Sequence, residues 1–268
     1  MRMIFKYTAM VMLGATLASC ATVPLSGRKQ LALVSDEQIQ EQAAVAYKEF
    51  LSSAETKVIT GTSNAALIKT VGNKIATAVN QYLVSQGLAD QYNFNWEFNL
   101  IESPDVNAWC MPGGKVAVYT GILPFTANES GLATVMGHEI AHAIARHSME
   151  QMSNQYAMQV GAQVLGVATS GKSTIFQGIV NNAYGIGGQL ALLKYSRSNE
   201  TEADQLGLMF MAMAGYNPET AVSFWERMAS AKSPNSTPPE FLSTHPSDVR
   251  RIQNIQNLIP QAMKYYKK

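Results

Sequence analysis

Cysteine and net charge are scarce in this sequence, and their scarcity excludes several classes of protein. The 268 residues contain two cysteines, so a fold held together by a framework of several disulfides is excluded. The 20 lysine and arginine residues are scattered and are nearly balanced by 19 aspartate and glutamate residues. Because no basic stripe is available to follow a phosphate backbone, we expect no nucleic-acid partner. No repeat of solenoid length is present either.

The hydrophobic run near the N-terminus is too short to cross a bilayer comfortably, which takes about 20 residues. It extends from about Thr8 to Ala18 and follows the basic residues Arg2 and Lys6. A basic zone, a short apolar zone and small residues, in that order, are typical of a secretory signal. We therefore predict a signal peptide in residues 1–19.

The residues that end this signal, Leu17-Ala-Ser-Cys20, resemble the bacterial lipobox, in which the cysteine carries the lipid. The resemblance implies that Cys20 is lipidated. The residues after it are polar and broken by Pro24 and Gly27, so residues 20–34 are predicted to be the lipidated start and a tether. The length of the chain predicts one globular domain in residues 35–268. Ala21 stands where an inner-membrane lipoprotein usually has Asp, so the predicted location is the outer membrane of a bacterium, facing the periplasm. A cleaved signal with a coincidental cysteine is the alternative.

Hydrophobic periodicity predicts a mainly helical α+β fold with a small antiparallel sheet. Apolar residues at helical spacing follow a capping box that starts at Ser35, and they recur over residues 64–83. Strict alternation over residues 92–100 predicts a strand, and two further short strands flank the turn at residues 112–114. Cys110 lies in the first of these two strands and is predicted to be a half-buried strand residue, with a catalytic nucleophile as the alternative.

A His-Glu-x-x-His motif lies inside a helix-forming segment that begins with a capping box at Thr126. Residues four apart share one face of a helix, so His138 and His142 can bind the same metal ion. Glu139 lies beside this pair, where it can act on a water molecule. In a continuous helix His147 lies on nearly the opposite side, and the longer metzincin pattern is absent. We predict a polar-face or supporting role for His147, and a third ligand from elsewhere in the chain.

A group of acidic residues downstream, within residues 195–204, can supply that third ligand. Glu200 and Asp204 are four apart on one helical face, so one can bind the metal while the other accepts a hydrogen bond from a ligand histidine. Glu202 points away from this face and is expected to be solvated. The alternative is a charged first turn that only stabilises its own helix dipole.

Together these motifs resemble the gluzincin family that includes the HtpX heat-shock peptidases and the CAAX prenyl endopeptidases, and especially its LoiP-like branch of small periplasmic lipoproteins. The resemblance covers most of the chain and rests on the His-Glu-x-x-His and Ser-Arg-x-x-Glu-x-x-x-Asp patterns. It implies a gluzincin-type fold and one zinc ion on His138, His142 and Glu200. It also implies that Glu139 is the general base and that Asp204 supports a ligand from behind.

Two further elements carry the same resemblance. Asn107-Ala108 resembles the family's edge strand above the cleft, which implies that both residues bind an extended substrate. Thr244-His-Pro-Ser resembles the family's C-terminal His-Pro element, which implies that His245 is catalytic and faces the substrate oxyanion; a loop cap is the alternative. Arg251 follows in the same element, and a structural ion pair explains it as well as a role at the site does.

A competing motif, Gly166-Val-Ala-Thr-Ser-Gly-Lys-Ser173, fits the Walker A pattern of nucleotide-binding loops. Its surroundings do not fit, because no βαβ order is present and no acidic magnesium partner follows. We therefore predict no nucleotide partner. Residues 161–190 are interpreted instead as a small-residue hairpin or a flap near the cleft.

These inferences predict a zinc-dependent endopeptidase that cleaves unfolded or misfolded proteins at the periplasmic face of the outer membrane, as part of membrane-protein quality control. The expected partners are unfolded or loop polypeptides, in particular outer-membrane proteins, and the membrane itself through a lipid anchor. The alternative is a chaperone-like or latent lipoprotein that binds outer-membrane proteins without routine proteolysis.

Overall fold

The computed structural model describes residues 20–164, 171–184, 195–231, 239–246 and 249–266. Within these ranges the helices are α1 (Asp36–Ser52), α2 (Ser63–Ser85), α3 (Leu123–Thr126), α4 (Glu129–Ile144), α5 (His147–Val164), α6 (Lys172–Tyr184), α7 (Arg197–Met213), α8 (Thr220–Ser230), α9 (Glu240–Thr244) and α10 (Val249–Ala262). The strands are β1 (Cys20–Thr22), β2 (Lys29–Leu31), β3 (Val58–Ile59), β4 (Glu97–Ile101), β5 (Ala108–Met111) and β6 (Lys115–Tyr119). The predicted signal peptide lies outside the described residues.

Side-chain caps fix where the long helices begin. Ser35 accepts a hydrogen bond from the first turn of α1, and Thr62 does the same for α2, so both predicted helices are confirmed. The predicted cap of the motif helix is wrong, because Asn128 and not Thr126 caps α4. The Thr126 hydroxyl donates to the Leu123 carbonyl within α3 instead.

The strands confirm the predicted fold class, a mainly helical α+β domain with a small sheet. Four strands pair in the order β3-β4-β6-β5, and the turn between β5 and β6 uses Gly113 and Gly114 with φ of +80° and +85°. Of the strand pairs among the described residues, only β4 with β6 is parallel; β1 with β2, β3 with β4 and β5 with β6 are antiparallel. Strand β5 is therefore an edge of the sheet.

The motif helix α4 lies at the centre of the core, and every residue from Gly131 to Ile144 is buried. Each large apolar side chain of this helix that leaves water contributes roughly 1.5–3 kcal/mol. Helix α7 crosses α4 so closely that a Cβ atom on Gly207 would lie 2.8 Å from the His138 backbone nitrogen. The two glycines at the crossing, Gly137 and Gly207, therefore let the backbones touch.

The N-terminal segment differs from the tether that the sequence suggested. Strands β1 and β2 form an antiparallel hairpin, residues 20–31, and the loop between them is packed on the domain with Val23 only 1% exposed. The Ser153 hydroxyl accepts hydrogen bonds from the backbone of Leu33 and Val34, which holds the following residues on α5. The domain boundary at residue 35 stays a prediction.

The predicted flap also differs from the structure where it is described. Residues 172–184 form the helix α6, which buries Ile175, Ile179 and Tyr184 in a core cluster shared with α1. Residues 165–170 and 185–194, which include most of the Walker-like motif, lie outside the described residues. Of the helices that the structure describes, none is long and apolar enough to span a bilayer.

Candidate metal centre

Four side chains converge on a single point and offer one ligand atom each. They are His138, His142, Glu200 and His245, and their ligand atoms all lie within 4.8 Å of one another. His138 Nε2 lies 3.1 Å from His142 Nε2 and 3.2 Å from His245 Nδ1. All four residues are no more than 6% exposed. Two or three imidazoles with one carboxylate make a donor set that suits zinc.

Three separate elements bring these donors together. His138 and His142 project from the same face of α4, as their spacing of four residues predicts. Glu200 lies in the first turn of α7, where a capping box between Ser196 and Asn199 fixes the start of the helix. The cluster thus confirms that the downstream acidic group lies against the motif helix.

His245 is the donor whose place sequence reasoning missed. It ends the short helix α9, and its Nδ1 lies 3.0 Å from a Glu200 carboxylate oxygen. The predicted oxyanion role would place it beside the substrate, whereas the structure places it among the metal donors. Its proposed catalytic role therefore stays a prediction.

Glu139 points toward the cluster without joining it. Its carboxylate is 3% exposed, and its Oε1 has no hydrogen-bond partner among the described residues, with His245 Nε2 at 3.5 Å. Burial raises the pKa of Glu139, which His245 and His138 oppose. A buried acceptor oxygen without a partner, next to four metal donors, fits a zinc ion with a water molecule in this space.

Asp204 lies directly behind His138, and its predicted supporting role stays a prediction. Its Oδ1 is 3.0 Å from His138 Nδ1, and the guanidinium of Arg251 donates to both carboxylate oxygens at 2.9 and 2.7 Å. The same guanidinium lies 3.1 Å from Glu200 and stacks 3.6 Å above the ring of Trp225. Arg251 is therefore a structural ion-pair partner of Asp204 and Glu200, and it fixes the Asp204 carboxylate behind His138.

His147 reaches the site because the motif helix stops before it. Helix α4 ends at Ile144, and Arg146 adopts the left-handed region with φ of +54°, so the chain turns and α5 begins at His147. The side chain of Arg146 stabilises this turn through Asp36, at 3.1 Å, and through the ring of Tyr92, at 4.2 Å. The assumption of a continuous helix was therefore wrong.

Tyr195 is a second neighbour of the site that the sequence analysis did not assign. Its ring stacks on that of His142, with centroids 4.2 Å apart and planes 19° apart. Its hydroxyl pairs with the Ser148 hydroxyl at 2.9 Å, and burial raises its pKa above the usual value for tyrosine. Its position just before the Ser-Arg-x-x-Glu pattern was the available signal.

The pKa values of His138 and His142 are shifted in opposite directions. Burial lowers the pKa of His138, but hydrogen bonds to Asp204 and Glu200 outweigh it and raise the pKa to about 9. Burial lowers the pKa of His142 well below its usual value. Burial raises the pKa of Glu200, but His245 and the other histidines outweigh it and lower the pKa strongly. These contacts favour the carboxylate form of Glu200, which is the form that binds zinc.

The edge strand carries the predicted substrate-binding pair. Asn107 is 1% exposed; its Oδ1 accepts from the Ala108 backbone N–H at 2.9 Å, while its Nδ2 has no partner in the described part of the chain. Cys110, two residues further, is buried, and burial raises its thiol pKa well above the usual value. Cys110 is therefore a strand residue, as predicted.

Curated proteins that resemble this chain include metalloendopeptidases and a protease. The chain is 35% identical to the mitochondrial metalloendopeptidase OMA1 of Schizosaccharomyces pombe over 90% of its own length and 66% of the relative's. It is 30% identical to the mitochondrial metalloendopeptidase OMA1 of Bos taurus, over 90% of its own length and 46% of the relative's. It is 28% identical to the beta-barrel assembly-enhancing protease of Escherichia coli, over 67% of its own length and 38% of the relative's. The chain thus spans between about a third and two thirds of these relatives.

These relatives correct one prediction. They contradict the predicted location of a bacterial outer-membrane lipoprotein, because the OMA1 proteins of fission yeast and cattle are mitochondrial by name. The LoiP-like branch is not confirmed either. Cys20 is exposed at the start of β1, and its lipidation stays a prediction.

The family profile described as Peptidase family M48 matches residues 69–259, which contain all four metal donors and Glu139. The match and the donor set together confirm the predicted metallopeptidase class and zinc as its cofactor. On this evidence the chain belongs to peptidase family M48.

Proposed function

We propose that this chain is a zinc-dependent endopeptidase that cleaves unfolded, misfolded or loop segments of other polypeptides. The observation that carries the proposal is Glu139, a buried carboxylate beside four convergent metal donors, one of whose oxygens has no hydrogen-bond partner among the described residues. A metal that served only to hold the fold would have no use for such a group. The metalloendopeptidases among the relatives support the same activity.

The residues of the site divide the reaction between them. His138, His142 and Glu200 would hold the zinc ion, which when bound polarises the scissile carbonyl and makes an attacking water more acidic. Glu139 takes a proton from that water and returns it to the leaving amine nitrogen. Burial raises the pKa of Glu139, which makes its carboxylate a stronger base toward the water proton.

The open edge of the sheet favours an extended substrate. Among the described strands β5 pairs only with β6, and we propose that the backbone of a peptide pairs with its other edge. Asn107 Nδ2 is a buried donor at the start of that edge with no partner in the part of the chain that the structure describes, and a substrate carbonyl would satisfy it. Folded segments cannot add such a strand, which supports unfolded polypeptides as the substrate class.

Cleavage of an unfolded protein tests the proposal. The purified, zinc-loaded chain should degrade casein, while chelation should abolish cleavage and Glu139→Gln should reduce it by about 100-fold or more with zinc still bound. Near-normal cleavage by Glu139→Gln would remove the assigned base.

A latent peptidase with a binding role is the second candidate, and one observation favours it. With His245 included, the site has four protein donors within reach of one ion, whereas a catalytic zinc site usually keeps one position for water. His245 would then occupy the position that water needs. In this case His245→Ala should increase casein cleavage, whereas the oxyanion role predicts that the same substitution lowers it.

A further inference from the structure

The feature that the proposed reaction leaves unused is a chain of contacts behind His142. We propose that His147 positions the ligand His142, and that the N-terminal hairpin, residues 20–31, positions His147 through Glu202. The inference concerns how the metal centre is held, and it rests on His142 being a ligand, as the proposed function requires.

The contacts form a continuous line from the surface to the donors. His142 directs Nε2 toward His138, at 3.1 Å, and its Nδ1 lies 2.8 Å from His147 Nδ1. His147 Nε2 lies 2.9 Å from a carboxylate oxygen of Glu202. His147 is completely buried and Glu202 is 6% exposed, so water competes weakly for these contacts. The prediction that Glu202 is solvated was therefore wrong.

The position of each proton follows from these contacts. If His142 binds zinc through Nε2, its only ring proton is on Nδ1, and that N–H must donate to His147 Nδ1. His147 is then neutral, with its own proton on Nε2, where the carboxylate of Glu202 accepts it. One directed arrangement satisfies every ring nitrogen in the line, and it presents the Nε2 lone pair of His142 to the metal.

The hairpin supplies the other end of the line. Glu202 accepts hydrogen bonds from the Ser26 hydroxyl and from Arg28 Nε, the latter at 2.6 Å. The remaining guanidinium nitrogens of Arg28 donate to both carboxylate oxygens of Glu150, at 2.6 and 2.8 Å. This bidentate pairing fixes the guanidinium, and through it the Glu202 carboxylate. The hairpin precedes residues 69–259, the part of the chain that the family profile covers.

A packing role alone would not require this arrangement. A ligand histidine commonly donates its second N–H directly to a carboxylate, as His138 does to Asp204. His142 has an imidazole in that place, and the imidazole is itself oriented by a carboxylate. Supporting groups of this kind typically change metal affinity by about 10- to 100-fold when they are removed.

Zinc affinity of the whole chain tests the inference, measured by competition with a chelator of known affinity. His147→Ala should raise the zinc dissociation constant by about 10- to 100-fold. His147→Asn should restore part of the affinity, because its side-chain oxygen lies near the position of Nδ1 and can accept from His142. The visible absorption spectrum of the Co²⁺-substituted protein should shift in His147→Ala, since it reports the geometry of the ligands.

Met152→Ala is the matched control for a loss of stability. Met152 is fully buried on the same helix, and its side chain belongs to the second core cluster. If His147→Ala behaves like Met152→Ala, with weaker folding but a zinc affinity within about twofold of the unmodified chain, the positioning role is overturned. Equal affinities of His147→Ala and His147→Asn would overturn the assigned hydrogen bond.

The hairpin's part is tested by Arg28→Ala and Glu202→Gln. Both should weaken zinc binding by less than His147→Ala, with Glu202→Gln the stronger of the two. Lys57→Ala, which removes an exposed ion pair with Glu102, should leave zinc binding unchanged. If neither Arg28→Ala nor Glu202→Gln differs from Lys57→Ala, the hairpin does not act on the site.

His142→Ala separates failure of this inference from failure of the proposed function. If His142→Ala binds zinc as tightly as the unmodified chain, the ligand assignment and the proposed function both fail. If His142→Ala loses zinc but His147→Ala does not, the inference alone is wrong.

Discussion

The two histidines of the motif helix are supported in similar ways from opposite ends of the chain. Behind His138 lies Asp204, clamped by Arg251 of α10 near the C-terminus. Behind His142 lies the imidazole of His147, then Glu202, clamped by Arg28 of the N-terminal hairpin. The arginine on the first side is 7% exposed and that on the second 27%.

The difference suggests that the support of His138 is the more rigid of the two and that of His142 the more adjustable. The His138 support has one carboxylate in direct contact, deep in the core and stacked on Trp225. The His142 support needs two intermediate groups and ends at a partly exposed arginine, where solvent screens the ion pair. We therefore expect substitutions on the C-terminal side to have larger effects than the corresponding ones on the N-terminal side.

The largest effect is expected where the two supports meet. Glu200 lies 3.5 Å from His138 Nε2 and 3.4 Å from His142 Nε2, so it belongs to both halves. Glu200→Ala should weaken zinc binding by more than about 100-fold, beyond what removal of a supporting group causes. Metal content after dialysis measures this, with Thr201→Ala, an exposed neighbour on the same helix, as the control. Full zinc content in Glu200→Ala would place the third ligand elsewhere.

The C-terminal clamp should give the next largest effect, on folding. Arg251→Ala leaves two buried carboxylates, Asp204 and Glu200, without their guanidinium partner. Breaking a buried pair in this way costs about 3–5 kcal/mol, and we expect the free energy of unfolding to fall by that amount. Urea denaturation of the chelated protein measures it, beside the exposed Arg197→Ala. A loss as small as that of Arg197→Ala would contradict the buried clamp.

Asp204→Asn should have an intermediate effect, on metal affinity more than on folding. Asparagine keeps an oxygen that can accept from His138 Nδ1, but it removes the negative charge that orients the ring and pairs with Arg251. We expect zinc affinity to fall by about 10-fold in chelator competition. If Asp204→Asn leaves zinc affinity unchanged while His147→Ala weakens it, the support of His142 matters more for zinc binding than the support of His138, contrary to our expectation.

The N-terminal clamp should give the smallest effect on folding. Arg28→Ala removes an ion pair that is partly open to solvent, so we expect a loss of about 1 kcal/mol, well below that of Arg251→Ala. The same urea series provides the measurement. A loss equal to that of Arg251→Ala would mean that the hairpin is as much a part of the core as α10 is.

The pairing of the two motif histidines follows from the sequence because it depends on local spacing. Four-residue spacing on one helix places His138 with His142, and the family resemblance adds Glu200 and Asp204. The position of His147 does not follow, because one left-handed residue, Arg146, ends the helix, and no glycine marks the break. The roles of Arg28 and His245 depend on contacts between distant segments, for which a single sequence carries no periodic signal.

The crossing of α4 and α7 at Gly137 and Gly207 has a consequence for how this protein can change over evolutionary time. Backbone atoms meet at this crossing, so side-chain size does not set the separation of the two helices at that point. Neighbouring core positions can exchange one apolar residue for another of similar volume without moving the metal donors. Any residue with a Cβ atom at Gly207 would force the helices apart, so we expect sequence drift around the site to leave that position as glycine.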